Sequence, residues 1–421
     1  MINDSAASNC GCNRLDDCPR MMPVEDAEAL SRSLGERVQE TELVPLREAA
    51  GRTLARDLSA PRGMPFFDGA AMDGYAVRLG DFEGEGPWQL PITAEVAAGS
   101  AGEVCGLPGA ARIFTGAPVP GGYDAVVMQE DCALKNGFVE FYRPPAPGEN
   151  IRRAGSDLKR GTVLVSAGTR IEARHTGLLA ASGYSAVNVY RRPRVALLST
   201  GDELAEAGQK LAGGAVYDAN RPMLQAMLEE AGAAVTDAGV LPDEPQQTTA
   251  RFAELAGKYD AVISTGGASV GDHDHIKSSF ERAGGALLQW RVAMKPGKPA
   301  TFGRLGGMAF VGLPGNPYAA YIGCSLFAVP LVRTMSGLAP RAFAPGRAVA
   351  GFSMRKKAGR AEFVAVRLAG YDNSGLQVVE AQRNTSSATL FPLASADGIA
   401  VIPAETTKVA PGDRLALRHF C

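Results

Sequence analysis

Long apolar runs are missing from this chain: no stretch reaches the roughly 18 apolar residues that a membrane span needs. The opening residues, MINDSAASNCGCNRLDDC, carry no apolar core behind positive charge, so they do not read as a secretion signal. Charge of one sign is missing too. A formal net charge of -2 leaves no global footprint for counterion release, which argues against nucleic acid as a partner and confines any anion site to a local group of Lys and Arg. Cysteine is scarce and scattered, 7 residues in 421, an odd number that makes no disulfide framework. A soluble cytoplasmic protein with reduced thiols and no membrane contact is the expectation. Only Cys10, Cys12 and Cys18 cluster, at a spacing that fits no standard zinc pattern; a polar tail with free thiols and a soft-metal site both remain open.

What is present is the composition of a folded protein, 46% hydrophobic and 21% charged, in a chain too long for one ordinary core. Several domains are therefore expected. Behind Pro23, residues Val24, Ala27, Leu30, Leu34 and Val38 fall at helical spacing, and Glu25 and Asp26 sit where the helix dipole favours acids. From about Gly74 to Pro144, short alternating runs (YAV, QLPITAEV, DAVVMQ, FVEFY) separated by Gly and Pro predict a β-rich insertion.

From about Pro193 to Met335 the pattern changes. RVALLS (194–199), AAVTDAGV (233–240) and DAVIS (260–264) read as strands, with helices expected over Pro222–Ala231 and Pro245–Lys258. This alternation predicts a parallel sheet with helices on both faces, and such sheets bind ligands at the carboxyl ends of their strands. Beyond about Gly337, EFVAVRLAG, LQVVEA, GIAVIP and DRLALRHF predict a small all-β domain.

The loops after those strands hold the chemistry. The run from Ser264 to Gly271, with Gly266, Gly267 and Ser269, is small enough for backbone N–H groups to approach an anionic ligand, although close helix packing selects glycine as well. Asp202 and Glu203, Asp243, and Asp272 and Asp274 follow successive strands. Hard oxygen ligands at one sheet edge suit Mg2+, while helix capping explains each acid taken singly. His273 and His275 alternate with those aspartates and read as flanking residues. Lys295-Pro296-Gly297-Lys298-Pro299 offers two ammonium groups on one turn, fit to clamp a phosphate or simply to face solvent. Pro314-Gly315-Asn316-Pro317 leaves a further strand, with Pro317 placed to open a helix. Nearer the N-terminus, the loop 67–76, the turn Thr115 to Pro120, the pair Arg152 and Arg153, and Asp157 gather polar groups without helical or strand periodicity.

In order, FDGAAMDGYA (67–76), TGAPVP (115–120), NIRRAGSD (150–157), STGDEL (199–204), YDANRPML (217–224), STGGASVGDHDHIK (264–277), MKPGKP (294–299) and GLPGNP (312–317) resemble the signatures of the molybdopterin molybdenumtransferases, the MoeA proteins and the matching domain of gephyrin. The resemblance implies an α/β multidomain, elongated subunit. Its parts would be a tail over 1–20 expected to be disordered, a mixed α+β dimerisation region (21–60 and 148–190), a β-rich insertion (61–147), a three-layer α/β molybdopterin-binding domain (191–338) and a small C-terminal β-barrel-like domain (339–421). It implies a homodimer acting on adenylylated molybdopterin and molybdate with Mg2+, possible contact with other molybdenum cofactor assembly proteins, and release of AMP.

The same resemblance assigns Glu203, Asp243 and Asp274 to the Mg2+ and pyrophosphate neighbourhood and Lys295 and Lys298 to the anion-facing turn. It gives Asp73, Thr115, Arg152, Arg153 and Asp157 to the part supplied across the dimer and Ser387 to a contribution from the C-terminal domain, while Gly266, Gly267, Ser269, Pro314 and Asn316 are expected to bind substrate from their place in the loops at the sheet edge. The chain departs from the family at Gly69-Ala70, where Asn-Ser is usual, at His273 and His275, where tyrosine-like residues are usual, and at Ala388, where glycine is common. Two other readings stay open on the sequence alone: adenylylation of molybdopterin by the same type of α/β domain, and a scaffold of the gephyrin kind.

Overall fold

The computed structural model describes residues 21–100, 108–241, 244–266, 275–338 and 346–420. It divides into two compact units, Leu43–Val189 and the remainder of the chain, Met1–Glu42 with Tyr190–Cys421.

The second unit is built on a sheet of six strands: β1 (Arg194–Thr200), β2 (Ala234–Leu241), β3 (Ala261–Thr265), β4 (Ala286–Arg291), β5 (Pro299–Leu305) and β6 (Met308–Leu313), in the spatial order β2-β1-β3-β6-β5-β4. β2, β1, β3 and β6 run parallel, and β5 and β4 are added antiparallel. The antiparallel edge is absent from the sequence reading, because apolar runs do not report strand direction. β3 and β6 are buried along their whole length, which is why AVIST and MAFVGL read as continuous rather than alternating apolar runs.

Helices cover both faces: α1 (Val24–Leu34), α2 (Asn220–Glu230), α3 (Pro245–Leu255), α4 (His275–Arg282) and α5 (Pro317–Met335). Phe252, Phe280 and Phe310 pack ring to ring on one face, at centroid separations of 4.6–5.5 Å, and Phe302 meets Phe327 edge-on at 5.1 Å on the other. Each of these fully buried rings contributes about 2–3 kcal/mol of transfer free energy. The sequence reading groups residues 21–60 with the N-terminal region, but Val24, Ala27 and Leu34 of α1 lie in the core of the α/β unit. The helix also stops at Leu34, before Val38, with Gly35 as its C-terminal cap.

Among the described residues α5 alone has the length and apolarity of a membrane span, and 67% of its most apolar window is buried in the fold, as expected of a core helix. Its backbone widens to a π turn over Cys324–Ala328, just before Pro330, which has no N–H to give the carbonyl of Leu326.

The C-terminal domain is a closed five-stranded barrel: β7 (Gly346–Ala350), β8 (Ala361–Tyr371), β9 (Gln377–Ala381), β10 (Gly398–Ile402) and β11 (Arg414–His419), joined in the ring β8-β9-β7-β11-β10-β8. Closure removes the free edges. A short strand from the α/β domain, Met294–Lys295, pairs parallel with the start of β8, Lys295 opposite Glu362.

The unit Leu43–Val189 has a small core of Val44, Leu54, Ile171, Leu179, Val187 and Val189 and a separate six-stranded sheet over residues 74–141. In that sheet Gly74 packs against the opposing strand so closely that a Cβ there would stand 1.9 Å from the Val127 carbonyl oxygen. No other residue fits.

Candidate functional site

The site is best built from the carboxyl ends of β1, β3 and β6. Ladder pairing sets Ser199 beside Thr265 and Thr265 beside Leu313, so the loops that follow these strands emerge side by side. They are then tied together by one residue at the start of α2. Asn220 donates both amide hydrogens, to Thr265 Oγ1 at 2.8 Å and to the Gly315 carbonyl at 2.7 Å, while Thr265 donates onward to the Pro314 carbonyl at 3.0 Å. The Asn220 Oδ1 atom is buried without a hydrogen-bond partner. Gly266, at φ +86°, passes so close to β1 that a Cβ would lie 2.5 Å from the Thr200 carbonyl oxygen.

Asp218 fixes where α2 begins. One carboxylate oxygen accepts the N–H groups of Asn220 and Arg221, and the other accepts the Ser199 hydroxyl at 2.6 Å and Arg221 Nε at 2.7 Å. Its side chain thus caps the orphan donors of the first turn, and α2 starts at Asn220 rather than at Pro222 as periodicity suggests. Burial pushes the Asp218 pKa up, but the Ser199 and Arg221 donors outweigh it and hold the carboxyl below its ordinary value. Arg221, itself buried, also reaches Asp237 at 2.7 Å and Glu206 at 3.2 Å, which anchors the loop between β1 and α2.

The C-terminal domain reaches the same place. Asn316 Nδ2 donates to Ser387 Oγ at 3.0 Å, and the Ser387 carbonyl accepts the N–H of Tyr318 at 3.0 Å and of Ala319 at 3.4 Å, the first free donors of α5. Ser386 instead closes a local turn with Thr389. The turn after Met294 also abuts this helix start: a methyl group on Gly297 would stand 3.5 Å from the Ala319 carbonyl oxygen. Lys295 is exposed on that turn, with its ammonium 3.4 and 3.5 Å from the two carboxylate oxygens of Glu362, and Lys298 is half-buried. Glu203 is exposed after β1 and, among the described residues, its carboxylate has no hydrogen-bonded partner.

The fold therefore brings Gly266, Pro314, Asn316 and Ser387 into one hydrogen-bonded set, with Lys295 on the turn beside it. Asp243, Gly267, Ser269 and Asp274 lie outside the described residues, as do Asp272 and His273. Among the described residues no three His, Cys, Asp or Glu side chains gather as a metal site; of the expected trio only Glu203 is described.

A second cluster forms within Leu43–Val189. Asp73 accepts the N–H and the hydroxyl of Thr115, both at 2.7 Å, and these donors lower its pKa below the ordinary carboxylate range. Arg152 pairs with Asp157 at 2.9 Å. Arg153 binds Asp68 at 2.6 Å, and Asp68 accepts the Ala154 N–H at 2.7 Å; the Ala154 N–H and then Arg153 lower the Asp68 pKa. Short pairings of Gly69–Ala70 with Ile151–Arg152, and of Gly69 with Pro118, draw the three loops together. All five expected residues of this region sit in the cluster.

Sequence reasoning gave no site role to Asp218, Asn220 and Glu362, and noted Asp68 only as one of two aspartates in its loop. The run YDANRPML contains a usable signal for two of them, since an Asp two residues before a helix start is a capping acid. Glu362 has no such signal, because its partner lies in another domain.

Three family models match successive parts of the chain: the MoeA N-terminal region (domain I and II) at residues 22–183, a probable molybdopterin binding domain at 196–334 and the MoeA C-terminal region (domain IV) at 347–417. A molybdopterin molybdenumtransferase of Haemophilus influenzae is 40% identical over 331 residues, which cover 77% of this chain and 80% of that protein. A Mycobacterium tuberculosis relative, molybdopterin molybdenumtransferase 2, is 37% identical over 88% of this chain and 93% of its own length. A solved molybdopterin biosynthesis MoeA protein from Pyrococcus horikoshii superposes with a TM-score of 0.79 at 31% identity, covering 96% of this chain and 100% of that one. With its three signature regions in order and its fold shared, the chain belongs to the molybdopterin molybdenumtransferases, the MoeA family of enzymes in molybdenum cofactor biosynthesis.

Proposed function

We propose that this enzyme inserts molybdate into adenylylated molybdopterin and releases AMP. The observation that carries the reading is the set of groups at the sheet edge: Asn316, Ser387 and the Lys295 turn offer hydroxyl, amide and ammonium donors beside one another, next to a loop in which Gly266 leaves no room for a side chain. Preorganised donors of this kind stabilise anions because their orientation costs nothing at the moment of reaction.

In this reading Lys295 and Lys298 hold molybdate oxygens, and Asn316 and the Ser387 hydroxyl orient them. The loops after β1 and β3 receive the pyrophosphate linkage. Hydrolysis breaks its P–O–P bond: water adds to one phosphorus, and AMP and the terminal phosphate of molybdopterin part. A magnesium ion belongs to this reading, since Mg2+ takes one or two carboxylates and completes its shell with water and phosphate oxygens. Glu203, exposed and without a cation partner among the described residues, would hold it together with Asp243 and Asp274. When bound, Mg2+ supplies positive charge to the pyrophosphate oxygens. The loops around Asp73, Thr115, Arg152, Arg153 and Asp157 complete the pocket from the second subunit of a homodimer, in the cytoplasm where molybdate and the pterin meet.

The test is AMP release from adenylylated molybdopterin by the purified full chain. It is expected to require molybdate, to stop on chelation of Mg2+ and to fall at least about tenfold in Lys295→Ala. AMP release indifferent to molybdate, or consumption of ATP with molybdopterin alone, would refute the assignment; the second result would point to adenylylation.

A further inference from the structure

We infer that Glu362 sets how tightly the enzyme holds its oxyanion, as a resident counter-charge that the anion must displace from Lys295. The inference rests on the reading of Lys295 as an oxyanion contact.

Glu362 is the second residue of β8 of the barrel and is 8% exposed. Among the described residues its carboxylate has one partner, the ammonium of Lys295, which stands almost equidistant from the two oxygens at 3.4 and 3.5 Å. A charge-assisted hydrogen bond is normally near 2.8 Å, so this contact is an ion pair without a directed hydrogen bond. The lysine side chain itself remains 57% exposed. The backbone fixes both ends: Lys295 is paired across from Glu362 in the short parallel ladder, and the Ala361 N–H binds the Ala293 carbonyl at 2.9 Å.

Three consequences follow from charge alone. With nothing bound, the pair neutralises an ammonium on the turn beside Asn316 and Ser387. An incoming oxyanion has to draw the ammonium away from Glu362, and it does so against the negative charge of that same carboxylate. The buried carboxylate then lacks its partner, which is costly, and its recovery of Lys295 favours release of the anion. Glu362 is thus a positioning residue that weakens oxyanion binding in exchange for turnover. A purely structural role carries the opposite sign, because loss of a structural contact loosens the site.

Titration calorimetry of the full chain with sodium molybdate separates these. Glu362→Gln keeps the shape and removes the charge, and it is expected to bind molybdate about three- to tenfold more tightly, with a matching fall in KM for molybdate and no rise in kcat. Glu362→Leu is a second neutral variant and must also tighten; if one of the two does not fold, the other carries the test. Glu362→Asp keeps the charge and is expected to bind within about twofold of the unmodified protein. Affinity that is unchanged or weaker in the neutral variants overturns the inference, as does tightening of the Asp variant to the level of the Gln variant. If Lys295→Ala binds molybdate as well as the unmodified chain, the reading of Lys295 itself fails, and that result is distinct from a failure at Glu362.

Discussion

The sheet edge and the loop cluster of Leu43–Val189 hold comparable numbers of polar groups by different physics. At the sheet edge the tying residues are buried: Asp218 is 6%, Asn220 7% and Arg221 5% exposed, and their bonds run between strands and helix starts already fixed by packing. In the other cluster Arg152, Arg153 and Asp157 are exposed and Asp68 and Asp73 half-buried, and the loops are held by carboxylates accepting backbone N–H groups and by ion pairs open to solvent. Exposed pairs contribute little, with a median near 0–1 kcal/mol, whereas a buried charge that loses its partner is strongly destabilising. One region is therefore rigid at the expense of tolerance, and the other is adaptable.

The largest effect expected from this contrast is at Asp218. Asp218→Ala strands Arg221 in the interior with only Asp237 and Glu206, and should cost about 3 kcal/mol in urea unfolding. Next comes Asn220→Ala, which removes two buried hydrogen bonds and frees the Pro314-Gly315 turn; a loss of about 2 kcal/mol is expected, with activity falling further than stability predicts. Gly266→Ala should follow at about 1–3 kcal/mol, since the positive φ and the Thr200 backbone both oppose a methyl group, and its signature is an unfolding midpoint shift together with weaker nucleotide binding. Asp68→Asn in the exposed cluster should lower stability by less than about 1 kcal/mol while still reducing turnover. Equal stability losses at Asp218 and Asp68 would erase the distinction between the regions.

The smallest effect is one of pH. Asp68 and Asp73 have folded pKa values below their unfolded ones, so their contribution is complete above about pH 4, the unfolded value, and disappears as pH falls through the folded values. Protection of the Thr115 and Ala154 amides, taken as exchange corrected for the intrinsic pH dependence of an unstructured chain, should accordingly be steady from neutrality down to about pH 4 and fall only below it. A change in that protection between pH 5 and 7 would contradict the assignment of these carboxylates as the acceptors.

Much of the α/β domain was legible because its strands are buried on both faces and its helices end in recognisable residues: RVALLS and DAVIS became β1 and β3, and Pro317 does open α5. Four of the five barrel strands were legible from short runs of apolar and β-branched residues, each expected run overlapping an observed strand, whereas β7 was not read. Helix starts were less so. The sequence places α2 two residues late, because the side chain that caps it, Asp218, acts from outside the periodic segment. The antiparallel pairing of β5 with β4 and β6 was not read, since strand direction depends on what the strand pairs with. Candidate residues on the loops between strands could be named from loop composition and from the family resemblance, but the ties between loops, Asn220 to Gly315 and Lys295 to Glu362, join positions 95 and 67 residues apart and leave no local pattern.

The bond between the Ser387 carbonyl and the first amides of α5 has a chemical corollary. Helix beginnings commonly receive phosphate-like ions through their free N–H groups, and here that berth is filled by the protein's own oxygen. On the proposed reading, in which this corner takes molybdate, recognition falls to interchangeable side chains instead of main-chain geometry, and preference between oxyanions of different size or charge is open to adjustment by single substitutions.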